Sequence, residues 1–290
     1  MKTHAILSTD LSKASDKLID CAYEYKDLGI KRITLLHALG LKHIQAFEDI
    51  MRQGVDEKLE EQKKRLEEHG FDVDSMVKPG LAKDELENLA EDPDLAMVIV
   101  GTHGVSLTKA VIGSTASEII LNMKYPVLLV VMKGIETKDG EECELYCNNF
   151  ANHVLLPTDF SESVEHAYQW LKNREVKLPR LTLMHIQDEV RIKDHLEDKL
   201  EEFNRIDAER LERLKNDFQQ AHPETRIDIE LDYGKPIDKI LDFVEKNEVC
   251  LTVMGSQGRG FLSRVFLGGT SYQVARHSDS NVLLVPKPRN

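Results

Sequence analysis

Val253-Met254-Gly255-Ser256-Gln257-Gly258-Arg259, running on to Phe266-Leu267-Gly268-Gly269-Thr270-Ser271, is the stretch whose reading decides the fold. It reads as a buried strand ending in a glycine turn, with a second glycine turn opening a helix. No Asp or Glu occurs from Cys250 to Ser278, a run of 29 residues, although the chain holds 51 of them in 290; the run carries Arg259, Arg264 and Arg276 instead. An acid-free, glycine-rich, mildly basic loop inside an acidic protein suits an anion, because unpaired backbone amides at a helix start point at it and the helix dipole favours negative charge.

Working outward, the same elements recur. Ala5-Ile6-Leu7-Ser8-Thr9-Asp10-Leu11-Ser12 returns as Val154-Leu155-Leu156-Pro157-Thr158-Asp159-Phe160-Ser161, and Leu35-Leu36-His37-Ala38 as Leu183-Met184-His185-Ile186. Val98-Ile99-Val100-Gly101-Thr102-His103-Gly104 is matched by the opening stretch, and Val127 by Val282. The offsets are 149 (Asp10 to Asp159), 148 (His37 to His185), 154 (Gly104 to Gly258) and 155 (Val127 to Val282). They stay ordered and nearly constant, so the chain is a duplication.

Each half alternates short apolar runs with amphipathic stretches, the pattern of a parallel sheet with crossover helices. Unbroken runs such as Ala96 to Val100 suit strands buried on both faces. In the second half Leu196, Leu200, Phe203, Ile206, Leu211, Leu214 and Phe218 recur mostly at helical steps, with Pro223 beyond them as a stop. Phe47 to Leu66 is the counterpart in the first half. The charges between these positions read as solvated helix faces. Residues 133–152, with Gly134, Lys138-Asp139-Gly140 and Asn148-Asn149, have the composition of a linker. The expected organisation is a first domain over 1–132 and a second over 153–290.

A length of 290 residues suits two domains. The net charge of −13 argues against nucleic acid as a partner, since such binders carry a basic footprint. No apolar run reaches the roughly 20 residues that span a bilayer, and Met1 to Leu7 lacks the long apolar core of a leader, so a cytoplasmic protein is expected. Four cysteines are too few and too scattered for a disulfide scaffold. Cys143 and Cys147 read as reduced thiols in a loop rather than a metal site.

The glycines of the second half fall as Gly255-x2-Gly258-x9-Gly268, followed by Gly269-Thr270-Ser271. Together with the upstream Thr-Asp and the repetition, this resembles the universal stress protein family in its tandem two-domain form, over essentially the whole chain outside the linker. The resemblance implies two tandem Rossmann-like (adenine nucleotide α-hydrolase-like) α/β domains, each a five-stranded parallel sheet flanked by helices. It also implies an adenine nucleotide, ATP or AMP, as ligand, because the nucleotide-binding branch carries G-x2-G-x9-G-[S/T]. Carried over, Asp159 meets the ribose or adenine end with Pro157 and Thr158 beside it, Ile186 lines the adenine pocket and Met254 flanks it. Gly255, Gly258, Gly268, Gly269, Thr270 and Ser271 contact phosphates through amides and hydroxyls. Arg259 is added here as a charge partner for the terminal phosphate. The corresponding positions of the first half are Thr9, Asp10, Ala38, Gly101, Gly104, Gly113, Ser114 and Thr115.

Both halves depart from the pattern. The second has Gly269 where the family has Ser or Thr, a loss of one hydrogen bond worth on the order of 1 kcal/mol. The first is one residue short, Gly101-x2-Gly104-x8-Gly113, with Val105 in place of Arg259 and Ser8 in place of Pro157. A shortened loop misplaces several amides whereas a missing hydroxyl removes one contact, so the second half is expected to be the better site.

Asp10 and Asp159 each have two readings, a turn residue satisfying helix amides or a carboxylate at the ligand-binding edge of the sheet. His37 and His185 read as satisfied structural histidines at strand ends. His103 lies within the first glycine turn, but its counterpart is Gln257. No nucleophile–base pairing and no metal cluster stand out, although Thr and Asp beside a phosphate suit Mg²⁺.

The expected function is a nucleotide-binding stress-response or regulatory protein with little turnover. Beside it stand a slow ATPase or α-hydrolase-like enzyme and a scaffold whose long helices recruit an unknown regulatory protein. In the family the terminal strands pair across domains, so the resemblance implies that the halves form a pseudo-dimer and that a homodimer forms a four-domain assembly.

Overall fold

Apolar runs bounded by turn residues become strands buried on both faces, and the amphipathic stretches between them become the helices that cover those faces. The computed structural model describes residues 2–40, 54–89, 92–102, 112–137, 140–145, 149–188, 199–256 and 268–287. The chain divides into two compact units, Met1–Asn148 and Asn149–Lys287.

In the first unit the strands β1 (His4–Thr9), β2 (Arg32–Ala38), β3 (Asp72–Lys78), β4 (Leu95–Gly101) and β5 (Val127–Val130) pair in parallel in the order β3-β2-β1-β4-β5. The helices are α1 (Lys13–Asp20), α2 (Tyr23–Asp27), α3 (Val55–Glu68), α4 (Ala82–Leu89) and α5 (Ser114–Asn122). The second unit repeats the plan. Strands β8 (His153–Pro157), β9 (Arg180–Asp188), β10 (Arg226–Gly234), β11 (Leu251–Gly255) and β12 (Asn281–Val285) run parallel in the order β10-β9-β8-β11-β12. Its helices are α6 (Glu162–Lys172), α7 (Leu200–Ala221), α8 (Pro236–Lys246) and α9 (Gly269–His277).

In each sheet the chain winds one way from the first strand and then crosses to its other side. This leaves a crevice at the carboxyl ends of β1 and β4, and of β8 and β11, where open α/β sheets take ligands. Helix α7 is anchored for its role beside that crevice. Leu211 and Phe218 are fully buried, and the Tyr168 hydroxyl of α6, donating to Asp217 Oδ2 at 2.6 Å, also lies 2.9 Å from the Leu214 carbonyl. The helix ends at His222, ahead of Pro223; α8 takes Pro236 in its first turn, where a missing N–H costs nothing.

Two features depart from the sequence reading. The stretch expected to be a linker, 133–152, contains most of an antiparallel pair, β6 (Met132–Thr137) with β7 (Gly140–Leu145). Asp139-Gly140 is as much a hairpin signal as a linker one. Cys250, just before β11, is disulfide-bonded, a crosslink that four scattered cysteines do not announce. Cys21 is a free thiol, and burial pushes it up to about 12. The side chains of Cys143 and Cys147 lie outside the described residues.

At the amino ends of β1 and β8 the duplication has kept a buried histidine. His153 Nδ1 donates to the Asn247 carbonyl at 3.0 Å, which leaves Nε2 to accept from Thr182 Oγ1 at 2.9 Å. His4 meets Asp92 Oδ2 at 2.5 Å and Thr34 Oγ1 at 2.8 Å. Burial, the largest cause in both, holds each ring below the ordinary histidine range. A group depressed on folding takes up a proton more readily when unfolded. Its contribution is therefore complete above about pH 6.5 and is lost as pH falls from there toward the folded value. Thermal melts are expected to show a lower midpoint at pH 5.5 than at 7.5, with the gap narrowed in His153→Gln. Equal midpoints at the two values would contradict this.

Candidate functional site

The crevice of the second unit opens into a cavity of about 610 Å³, within the roughly 300–1,000 Å³ of small-molecule sites. The sequence-predicted residues at the end of β8 (Pro157, Thr158, Asp159), Ile186 on β9, Met254 and Gly255 on β11, and Gly268, Gly269, Thr270 and Ser271 at the start of α9 all line it. Gly258 and Arg259 lie outside the described residues. In the first unit Thr9, Asp10, Ala38, Gly101, Gly113, Ser114 and Thr115 line a smaller cavity of about 360 Å³. Gly104 and His103 lie outside the described residues.

One end of the large cavity is made of helix amides. Gly268 caps α9, and its own N–H is committed to the Ser256 carbonyl at 2.7 Å. The first helical bond in α9 runs from Tyr272 N to the Gly268 carbonyl, so the amides of Gly269, Thr270 and Ser271 have no acceptor within the helix. The Ser271 hydroxyl donates instead to the Gly255 carbonyl at 2.7 Å and is buried. The fold thus engages the Ser271 hydroxyl, and the amide is the part left to a ligand. The same cap recurs in the first unit, where Gly113 N donates to the Thr102 carbonyl at 2.8 Å.

Packing also acts at Gly255. A Cβ there would lie 2.5 Å from Ser163 Oγ and 2.6 Å from the Ser163 carbonyl carbon. The glycine is required because the first turn of α6 packs directly on the strand end, before any ligand is considered. At Gly269 a Cβ meets nothing within 4 Å.

The β8 end is a tight turn. Asp159 Oδ1 accepts from Ser161 N at 3.0 Å, and Thr158 Oγ1 accepts from Phe160 N at 2.9 Å. Phe160 has φ 56, a left-handed conformation uncommon for a bulky residue. One oxygen of Asp159 thus shapes the turn, and the residue also lines the cavity. Asp10 does likewise, with Oδ1 accepting from Ser12 N at 3.0 Å and Ser15 Oγ at 2.6 Å.

His185 and His37 are both latched to the turn. His185 Nδ1 donates to the Thr158 carbonyl at 2.6 Å, and His37 Nδ1 to the Thr9 carbonyl at 2.9 Å. His185 goes further: its ring lies 4.6 Å from that of Phe160, and its Nε2 is 3.4 Å from Asp207 Oδ2 on α7. Arg210 joins them, with Nη1 3.3 Å from Asp207 Oδ1 and its guanidinium 5.1 Å from the Phe160 ring centre.

Sequence reasoning missed the part α7 plays. Phe203, Ile206, Asp207 and Arg210, spaced i, i+3, i+4 and i+7, present one face of that helix to the cavity. The signal was present: Asp207 and Arg210 interrupt a stripe that is otherwise apolar. Among the described residues no group of three or more His, Cys, Asp and Glu is placed to hold a metal ion, and no helix is long and apolar enough to cross a membrane.

Two copies of a switch-point α/β module, each with a cavity between a strand-end aspartate and a helix N-terminus, define the class of protein. The chain belongs to the universal stress protein family, whose sequence profile matches residues 2–131 and again 151–286. It is similar to a universal stress protein of Methanocaldococcus jannaschii, 28% identical over 149 residues that cover 43% of this chain and 92% of that protein. A universal stress protein of Mycolicibacterium smegmatis is 26% identical over 229 residues, covering 77% of this chain and 71% of its own. The crystal structure of a universal stress protein from Archaeoglobus fulgidus superposes with a TM-score of 0.70 at 22% identity, over 99% of this chain and 97% of that one, which shows a shared fold.

Gly255→Ala is expected to destabilise the protein by about 1–3 kcal/mol through overpacking against Ser163, read as a lower melting temperature. Gly269→Ser, facing open space, is expected to leave it unchanged or slightly raised.

Proposed function

We propose that the second unit binds an adenine nucleotide, ATP or AMP, and that the protein serves as a stress-response or regulatory protein with little turnover. The observation that carries this reading is the shape of one cavity. It is lined together by the start of α9 with its three free-ended helix amides, by Asp159, and by the apolar Ile186 and Met254. Phosphate suits the amides, ribose hydroxyls suit the carboxylate, and a planar base suits the apolar part. The nine-residue spacing between Gly258 and Gly268 supports the same assignment. Mg²⁺ enters only as the ion carried by the nucleotide's phosphates.

Slow or absent turnover is the reading for His185. Its Nδ1 is tied to the Thr158 carbonyl and its Nε2 lies 3.4 Å from Asp207 on α7, so both ring nitrogens face protein groups, a structural placement rather than that of a general base.

Mass spectrometry of heat-denatured protein is expected to release AMP or ATP, and calorimetry on stripped protein to show binding of both. Asp159→Ala is expected to weaken that binding roughly 10- to 100-fold, the worth of hydrogen bonds to a charged group. Absence of any nucleotide, together with no heat on titration, would refute the proposal.

A further inference from the structure

We propose that α7 completes a base slot in the second unit, with Asp207 as the residue that selects a base bearing an exocyclic amine. This rests on the adenine-nucleotide reading above and adds to it the residue that reads the base. Phe203 and Ile206 are half-buried apolar residues at the cavity wall. With Ile186 and Met254 from the strand ends they make a cavity lined by apolar groups from two different elements, which is what a planar ring requires.

Asp207 gives this slot a polar edge. Its side chain is only 13% exposed, and it stands in the apolar stripe of α7 where a core residue is expected. Two donors hold it, Gln187 Nε2 at 3.2 Å and Arg210 Nη1 at 3.3 Å, with His185 Nε2 3.4 Å away. Both bonds are longer than the roughly 2.7–2.9 Å of a tight charge-assisted bond. A carboxylate has about four acceptor positions, so Asp207 keeps accepting capacity on a cavity wall. The group that satisfies it is an N–H donor from the ligand, and beside Ile186 that donor is the amine of the base.

The first unit has no such edge among its described residues. The equivalent helix, α3, presents Gln62, whose carbonyl accepts from Thr9 Oγ1 at 2.8 Å and whose amide donates to Asp16 at 2.8 Å. Both ends of that side chain are spent within the fold, and no α3 residue lines the smaller cavity. Base selection therefore belongs to the second unit.

The test is calorimetric titration of the full-length, nucleotide-stripped protein with AMP and with IMP, which replaces the 6-amine by a carbonyl. AMP is expected to bind about 10- to 100-fold more tightly than IMP, since the carboxylate gains a hydrogen bond from one and opposes the oxygen of the other. Asp207→Asn, nearly isosteric, offers IMP a donor and is expected to bring the ratio close to one. Phe203→Ala is expected to weaken both ligands by the same factor, about 5- to 100-fold, the worth of base stacking. Equal affinities in the unmodified protein, or a preference that persists in Asp207→Asn, would overturn the inference and leave nucleotide binding standing. Binding of neither nucleotide would overturn both.

Discussion

The site depends on how closely the first turn of α6 approaches the end of β11. With Ser163 backbone atoms 2.6 and 2.7 Å from where a Gly255 Cβ would lie, strand and helix meet without a side chain between them. The Gly255 carbonyl is then held by the Ser271 hydroxyl, which ties the start of α9 to the same point. Three elements distant in sequence thus converge on one glycine. The positions of the β8 turn, the strand end and the α9 amides follow from that convergence. A Cβ at Gly255 would push apart the elements that form the cavity, so packing alone is sufficient reason for the glycine. Whatever a ligand gains from the bare backbone comes in addition.

The convergence leaves the β8 turn under strain, and the strain is repeated. Leu11 and Phe160 both take positive φ, 61 and 56, directly after the aspartates of the two halves. A bulky residue there costs on the order of 1–3 kcal/mol and persists only where its surroundings fix it. In both halves a strand-end histidine grips the carbonyl two residues earlier, through Thr9 or Thr158. The second half adds more: the Phe160 ring packs between His185 and the Arg210 guanidinium. An aromatic residue in a costly conformation has become a contact surface for α7, and Asp207 links the same helix to His185.

Much of this was legible in the sequence because it follows from local rules. Apolar runs bounded by glycine, the near-constant offsets between the halves and the nine-residue loop spacing lead to two parallel sheets with a crevice beside Asp10 and Asp159. What escaped depends on packing between distant segments. Nothing local to Gly255 reveals Ser163, and nothing local to Ser271 reveals that its hydroxyl turns inward. The hairpin β6/β7 was hidden in a stretch whose glycines and charges also suit a linker. The Cys250 disulfide requires knowing which thiols meet. The α7 wall lay between these extremes. An Asp and an Arg inside an apolar stripe were visible, yet solvent exposure explains such residues equally well until the cavity is seen.

The two halves differ in the helix faces that border their crevices. From sequence, the inequality rested on one missing loop residue against one missing hydroxyl. The structure adds a second difference: the helix after β9 lines its crevice, and the helix after β2 does not. In the first unit α3 spends Gln62 on Thr9 and Asp16, and the cavity measures about 360 Å³; in the second, α7 contributes four residues to a cavity of about 610 Å³. The strand-end turns and helix caps stay alike because each is tied to the backbone of its own sheet. A helix face packed over the crevice carries no such tie, so it is where duplicated modules are free to diverge without losing the fold.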